Sequence, residues 1–191
     1  MKQKMTKNLA LSAMLIAVGL ILPLFTGQIP QIGNMLLPMH IPVFLCGLIC
    51  GWKYGLVVGF ITPLLRSAVF GVPILFPNAI AMAFELMTYG GVIGLFYEKS
   101  RWKCIVSLYR CMIAAMLSGR LVWGIVQICL LGIGKNGFTF QAFMAGAFVN
   151  AVPGIILQFI VIPSLMLALN KTGLVSFHRH KHKKEMLWKK Q

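Results

Sequence analysis

Residues 104–131 read CIVSLYRCMIAAMLSGRLVWGIVQICLL, with Arg110 and Arg120 as the only charges. A bilayer core is crossed by about 20 mostly apolar residues at about 1.5 Å of rise each. This stretch is longer than that and predicts a membrane-spanning helix. Working outward from it, similar runs lie at about 8–25, 39–51, 53–69, 77–96 and 140–169. They are long and continuous, without the short alternating segments of a barrel. The reading is an all-α, polytopic membrane protein: a six-helix membrane domain over residues 1–170 and a basic tail over 171–191.

Composition agrees. The 191 residues are 59% hydrophobic and only 11% charged, with a mean hydropathy of +0.84. Soluble domains are about 25% charged. A soluble fold of this size has too little interior for that much apolar surface, so lipid is the solvent for most of the chain. Lys2, Lys4 and Lys7 before the first apolar run look like a signal peptide, but the run is long for one. The expectation is a retained first helix.

The net charge of +15 suggests nucleic acid in a soluble protein. Here the basic residues cluster at span ends, which points to anionic lipid headgroups and cytoplasmic loops instead. Lys2, Lys4, Lys7, Lys53, Lys99, Arg101, Lys103, Lys171, Arg179, Lys181, Lys183, Lys184, Lys189 and Lys190 fall on one side. The loops 26–38, 70–76 and 132–139 on the other side hold only Lys135. Both termini are therefore expected in the cytoplasm. The second span is short; it starts deeper, near Met35, or is broken at Pro42. Only Gly51 and Trp52 separate it from the third, a tight helical hairpin. Segment 26–38, TGQIPQIGNMLLP, is uncharged and carries Gln28, Gln31 and Asn34. It reads as a loop folded over the outer mouth of the bundle, or as one lying on the lipid interface.

Ionisable residues at membrane depth are expensive and point to function. Counting rise along alternating spans puts Arg66, Asn78, Glu85, Arg120, Gln127 and Asn150 in the outer half of the bundle, on four helices. His40 opens the second span near the same mouth. Two arginines against one glutamate leave an excess positive charge, which a bound carboxylate would compensate. The alternative is a structural pair of Glu85 with one arginine, the other reaching the headgroups. Arg110 lies about two turns above Lys103 and reaches the cytoplasmic face, so it is not a site candidate.

Other features carry less chemistry. Cys46, Cys50, Cys104, Cys111 and Cys129 sit in or beside apolar runs and read as packing residues. His178, His180 and His182 alternate with basic residues in the tail, a poor setting for a metal, so no metal site is expected. The first span carries Ala10, Ala13 and Ala17, a flat stripe that another helix can approach closely. Gly47, Gly51, Gly55 and Gly59 repeat at the same spacing, for internal packing or for a partner. No phosphate-loop motif is present, so the chain itself does not hydrolyse ATP. No carboxylate relay for ion coupling is present either. A membrane enzyme acting on lipid would need a nucleophile or metal cluster near the headgroups, and none is found.

With these residues in view, the chain resembles the S components, the substrate-binding membrane subunits of energy-coupling factor (ECF) transporters. The likeness covers nearly the whole chain: size, six spans, basic ends and Ala13-x-x-x-Ala17. GQIPQIGNMLLPMHIPVFLCG, GFITPLLRS and AGAFVNAVPGIILQ look most like the pantothenate-type branch; relatives bind riboflavin, folate, pyridoxine or other vitamins. The resemblance implies uptake of a water-soluble vitamin at the cell membrane and no enzymatic activity. It implies binding from outside under the first outer loop. A transmembrane coupling subunit docked on the alanine stripe and two ATPases would then drive release as the subunit topples in the membrane. ATP is used by those partners, and no cofactor is expected in this chain. For an anionic vitamin, Arg66 and Arg120 would engage the carboxylate. Asn78, Glu85, Gln127 and Asn150 would bond polar groups, and Gln28 and Asn34 would close over them. A stand-alone carrier is the competing reading.

Overall fold

Every regular element is a helix among the residues that the computed structural model describes, namely 2–26, 38–100, 104–132, 141, 144–146 and 151–171. Helix α1 covers Lys2–Ile21 and passes into a 3-10 turn, Leu22–Thr26, where Pro23 has no N–H to continue the α ladder. Helices α2 and α3 are His40–Cys50 and Trp52–Phe70. Helix α4 is Ile80–Lys99, entered through a π turn, Leu75–Ala79. Helices α5 and α6 are Ile105–Leu131 and Val152–Lys171. All except α2 are long and apolar enough to cross a membrane.

Side-chain pairings fix the directions. Asn8 donates to the Cys50 carbonyl and Ser12 lies 3.5 Å from Cys46, so α1 and α2 are antiparallel. The Arg66 guanidinium reaches the Leu20 carbonyl, so α3 runs with α1. Glu85 meets Arg120 while Ser100 meets Ser107, so α4 and α5 are antiparallel. Gly59 meets Leu86 and Gly51 meets Glu98, so α3 and α4 are antiparallel. The start of α3, the end of α4 and the start of α5 therefore share one end of the bundle, which carries Lys53 and Lys99.

The α2–α3 turn is a single residue. Gly51 has φ 96°, a backbone setting that a Cβ disfavours. Helix α2 is shorter than a crossing: eleven residues rise about 16 Å, roughly half of a bilayer core. Ten of the eleven are buried, against α1, α3, α4 and α6. A helix that is apolar all round belongs in such an interior. The structure corrects the expectation of a break at Pro42. The proline lies in the first turn, where its missing N–H has no intrahelical partner to lose, and α2 runs unbroken. Met35 lies outside the described residues.

Helices α2, α3 and α4 touch backbone to backbone. Side chains built on Gly47 and Gly55 would overlap the Gly90 carbonyl, and one on Gly59 would overlap the Leu86 carbonyl. Three members of the glycine series seen in the sequence thus serve internal packing. Small residues permit this approach where lipid offers no hydrophobic drive to associate. A Cβ on Gly90 would strike the Gly55 backbone, which has no rotamer with which to yield. Gly90→Ala is therefore expected to cost about 2 kcal/mol, within the usual range for overpacking. Thermal unfolding of the detergent-purified protein checks this; an unchanged midpoint would mean the two helices do not meet there.

Candidate functional site

The start of α2 inside the bundle exposes a level that the long helices pass through. Glu85 is 14 residues before the end of α4, and Arg120 is 15 residues past the start of α5. Both stand about 21–23 Å above the lysine-bearing end. His40 is the first residue of α2 and comes to the same level.

There the side chains form one cluster. Arg120 Nη1 is 2.9 Å from Glu85 Oε1, and the Tyr89 hydroxyl donates to that same oxygen at 2.8 Å. His40 Nε2 lies 3.9 Å from it. The histidine ring packs on Tyr89 at 5.3 Å between centroids, and Phe44 stacks on Tyr89 at 5.2 Å. Glu85 is 2% exposed and Arg120 6%. A carboxylate so deep persists because a guanidinium and a phenol both reach it. Gly119 on α5 makes room, since the Tyr89 ring fills the space that a side chain there would take.

Gln127 stands two turns beyond Arg120 on the same face of α5 and is buried. Its Oε1 has no hydrogen-bond partner among the described residues. An unmet buried amide oxygen costs about 1–3 kcal/mol, so such an atom is suited to a ligand. Between the two, Trp123 abuts Gly146.

Arg66 is buried too, but its partners are different. Its Nη1 donates to the Leu20 carbonyl at 2.8 Å, and its guanidinium lies 5.4 Å from the Phe70 ring centre. It caps the last turn of α1, where open carbonyls and the negative end of the helix dipole meet a cation. Glu85 is therefore paired with Arg120, and Arg66 is solvated by main chain. Arg66 keeps its formal charge, with no acidic partner among the described residues.

The other expected residues divide in two. Asn78 sits in the π turn at the far end of α4 and is exposed, outside the cluster. Gln28, Asn34 and Asn150 lie outside the described residues. One participant, Tyr89, and one further buried polar side chain, Gln158, escaped the sequence reading. Tyr89 was signalled only by its spacing of four from Glu85, one helical turn. Gln158 on α6 is 1% exposed, and its Nε2 lacks a partner among the described residues; it closes the quoted stretch AGAFVNAVPGIILQ. Ala10, Ala13 and Ala17 are exposed on α1, whose opposite face buries Ser12, Leu15 and Gly19.

No curated protein and no solved structure matches the chain significantly. The family described as "ECF transporter, substrate-specific component" matches residues 7–166, most of the chain. Its members are substrate-binding subunits that work with a coupling subunit and ATPases and are not enzymes. This multi-pass membrane protein, with its buried polar cluster inside an all-helical bundle, belongs to the ECF transporter substrate-specific component family.

Proposed function

We propose that this chain binds a water-soluble vitamin from outside the cell and delivers it for import, with pantothenate the first substrate to test. The carrying observation is the Arg120–Glu85–Tyr89 cluster below a Gln127 oxygen that has no partner among the described residues. A guanidinium has five N–H donors in a planar fork, and Glu85 meets one end of it. The rest can take a second carboxylate, while Gln127 and Asn150 suit hydroxyl and amide groups. Gln28 and Asn34, in the segment before α2, would close the site. Since Arg66 is spent on α1, Arg120 is the cation assigned to the ligand. A vitamin bound mainly through hydroxyl and amide groups, such as riboflavin, pyridoxine or a folate, is the second reading, favoured by the neutrality of the Arg120–Glu85 pair.

The lysine-bearing end is assigned to the cytosol under the positive-inside rule, with both termini there and the protein in the plasma membrane. The proposed topology has six crossings, with α2 as part of the second. The exposed alanines of α1 are the docking face for the coupling subunit, and ATP is consumed by two partner ATPases.

Calorimetric titration of the purified protein with pantothenate, riboflavin, folate and pyridoxine tests the reading. One vitamin is expected to bind at one per chain with sub-micromolar affinity; transport by the reconstituted chain alone would instead favour a stand-alone carrier.

A further inference from the structure

At the lysine-bearing end, α4 stops at Lys99 and α5 begins at Ile105. Between them is a cavity of about 380 Å³ whose wall includes Phe96, Lys99, Ser107, Arg110, Cys111 and Ala114. It is some twenty ångströms along α4 from Glu85 and belongs to a different part of the bundle. Among the described residues its charged lining is two cations, Lys99 and Arg110. The Ser100 and Ser107 hydroxyls lie 2.5 Å apart and are hydrogen-bonded to each other, so they tie the two helix ends together. Neither Lys99 nor Arg110 has an acidic partner among the described residues. The neighbouring acid, Glu98, is turned toward the α2–α3 turn, where its Oε1 abuts Gly51.

We propose that this cavity binds the glycerophosphate headgroup of an anionic phospholipid. A guanidinium and an ammonium on the wall of one cavity match a phosphate diester. The position selects lipid over a soluble phosphate. The cavity lies where two spans end, at headgroup depth, and is wider than a bare phosphate needs. One side opens onto apolar surface: Phe96, Ile113 and Leu117 are each about half exposed. Acyl chains can run along α5 from Ala114 toward Leu117 while the phosphate stays between Lys99 and Arg110. The site requires only that these span ends face a headgroup layer, and it is independent of which vitamin the protein carries.

Native mass spectrometry of the detergent-purified protein, titrated with phosphatidylglycerol or phosphatidylcholine, tests the site. One phosphatidylglycerol per chain is expected, retained at least about fivefold better than phosphatidylcholine. A basic side chain near the surface contributes roughly a fivefold preference, so Lys99→Gln/Arg110→Gln should weaken the adduct by about 20–30-fold. Arg110→Lys, with the charge kept, should lose far less. An unchanged melting temperature shows that the double variant is folded; if it does not fold, the Arg110→Gln single variant carries the comparison. Equal retention of the two lipids, or an undiminished adduct in the variants, overturns the proposal. Displacement of phosphatidylglycerol by millimolar glycerol 3-phosphate would assign the site to a soluble phosphate and overturns it too.

Discussion

Arg120→Ala is expected to abolish high-affinity vitamin binding, with a loss of roughly two to three orders of magnitude. Each hydrogen bond to a charged group contributes about 1.5–3 kcal/mol, and a guanidinium fork holding a carboxylate supplies two. The same change leaves the Glu85 carboxylate buried without its guanidinium, beside Tyr89 at 2.8 Å and His40 at 3.9 Å. Breaking one side of a buried pair typically costs about 3–5 kcal/mol of stability. Lost binding in this variant alone would therefore be ambiguous. Arg120→Met/Glu85→Gln removes both charges while keeping the volume, and such neutral replacements are usually tolerated. That double variant should melt near the parent and still fail to bind. Calorimetry with an intact affinity in the folded double variant would remove Arg120 from the site.

The second large effect concerns α1 and separates capture from delivery. Ala10, Ala13 and Ala17 are exposed, while Ser12, Leu15 and Gly19 hold the helix to its own bundle. Ala13→Trp/Ala17→Trp therefore adds bulk where the isolated protein has only lipid. Vitamin binding should stay within about twofold of the parent. Uptake by cells that express the coupling subunit and ATPases should fall by more than about tenfold, because two indoles prevent the close helix approach that small residues allow. Undiminished uptake would place the coupling subunit on another face.

Much of this architecture is legible without coordinates. Four long apolar runs became α1, α3, α4 and α5, because bilayer thickness imposes a length that any reader of the sequence can count. The run at 39–51 lies over α2, and what the sequence left open was whether it starts deeper or breaks at Pro42. What permits an eleven-residue helix is shielding by four neighbours, and a run of apolar residues does not tell which other helices surround it. The site divides in the same way. Heights along each span correctly grouped Glu85 with Arg120. Heights cannot say how each helix is rotated, so the choice between Arg66 and Arg120 as the partner of Glu85 stayed open until the Leu20 carbonyl was seen to occupy Arg66. Tyr89 was hidden because an aromatic inside an apolar run looks like packing, and only its contact with Glu85 gives it a polar task. The glycine series allowed both an internal and an external use. Gly90, on a helix outside that series, decides for the internal one.

The brevity of α2 bears on how the polypeptide reaches its place during synthesis. An eleven-residue segment is too short to be recognised as a span by itself, and hydrocarbon gives it no reason to remain at one depth. Its single-residue link to α3 offers the way in: the two enter together as a reverse-folded unit, α3 supplying the partition energy. The shorter arm then stays provisional until α4 has been translated and closes against it, so the grouping of His40 and Tyr89 on Glu85 cannot form before the ribosome has made the fourth helix.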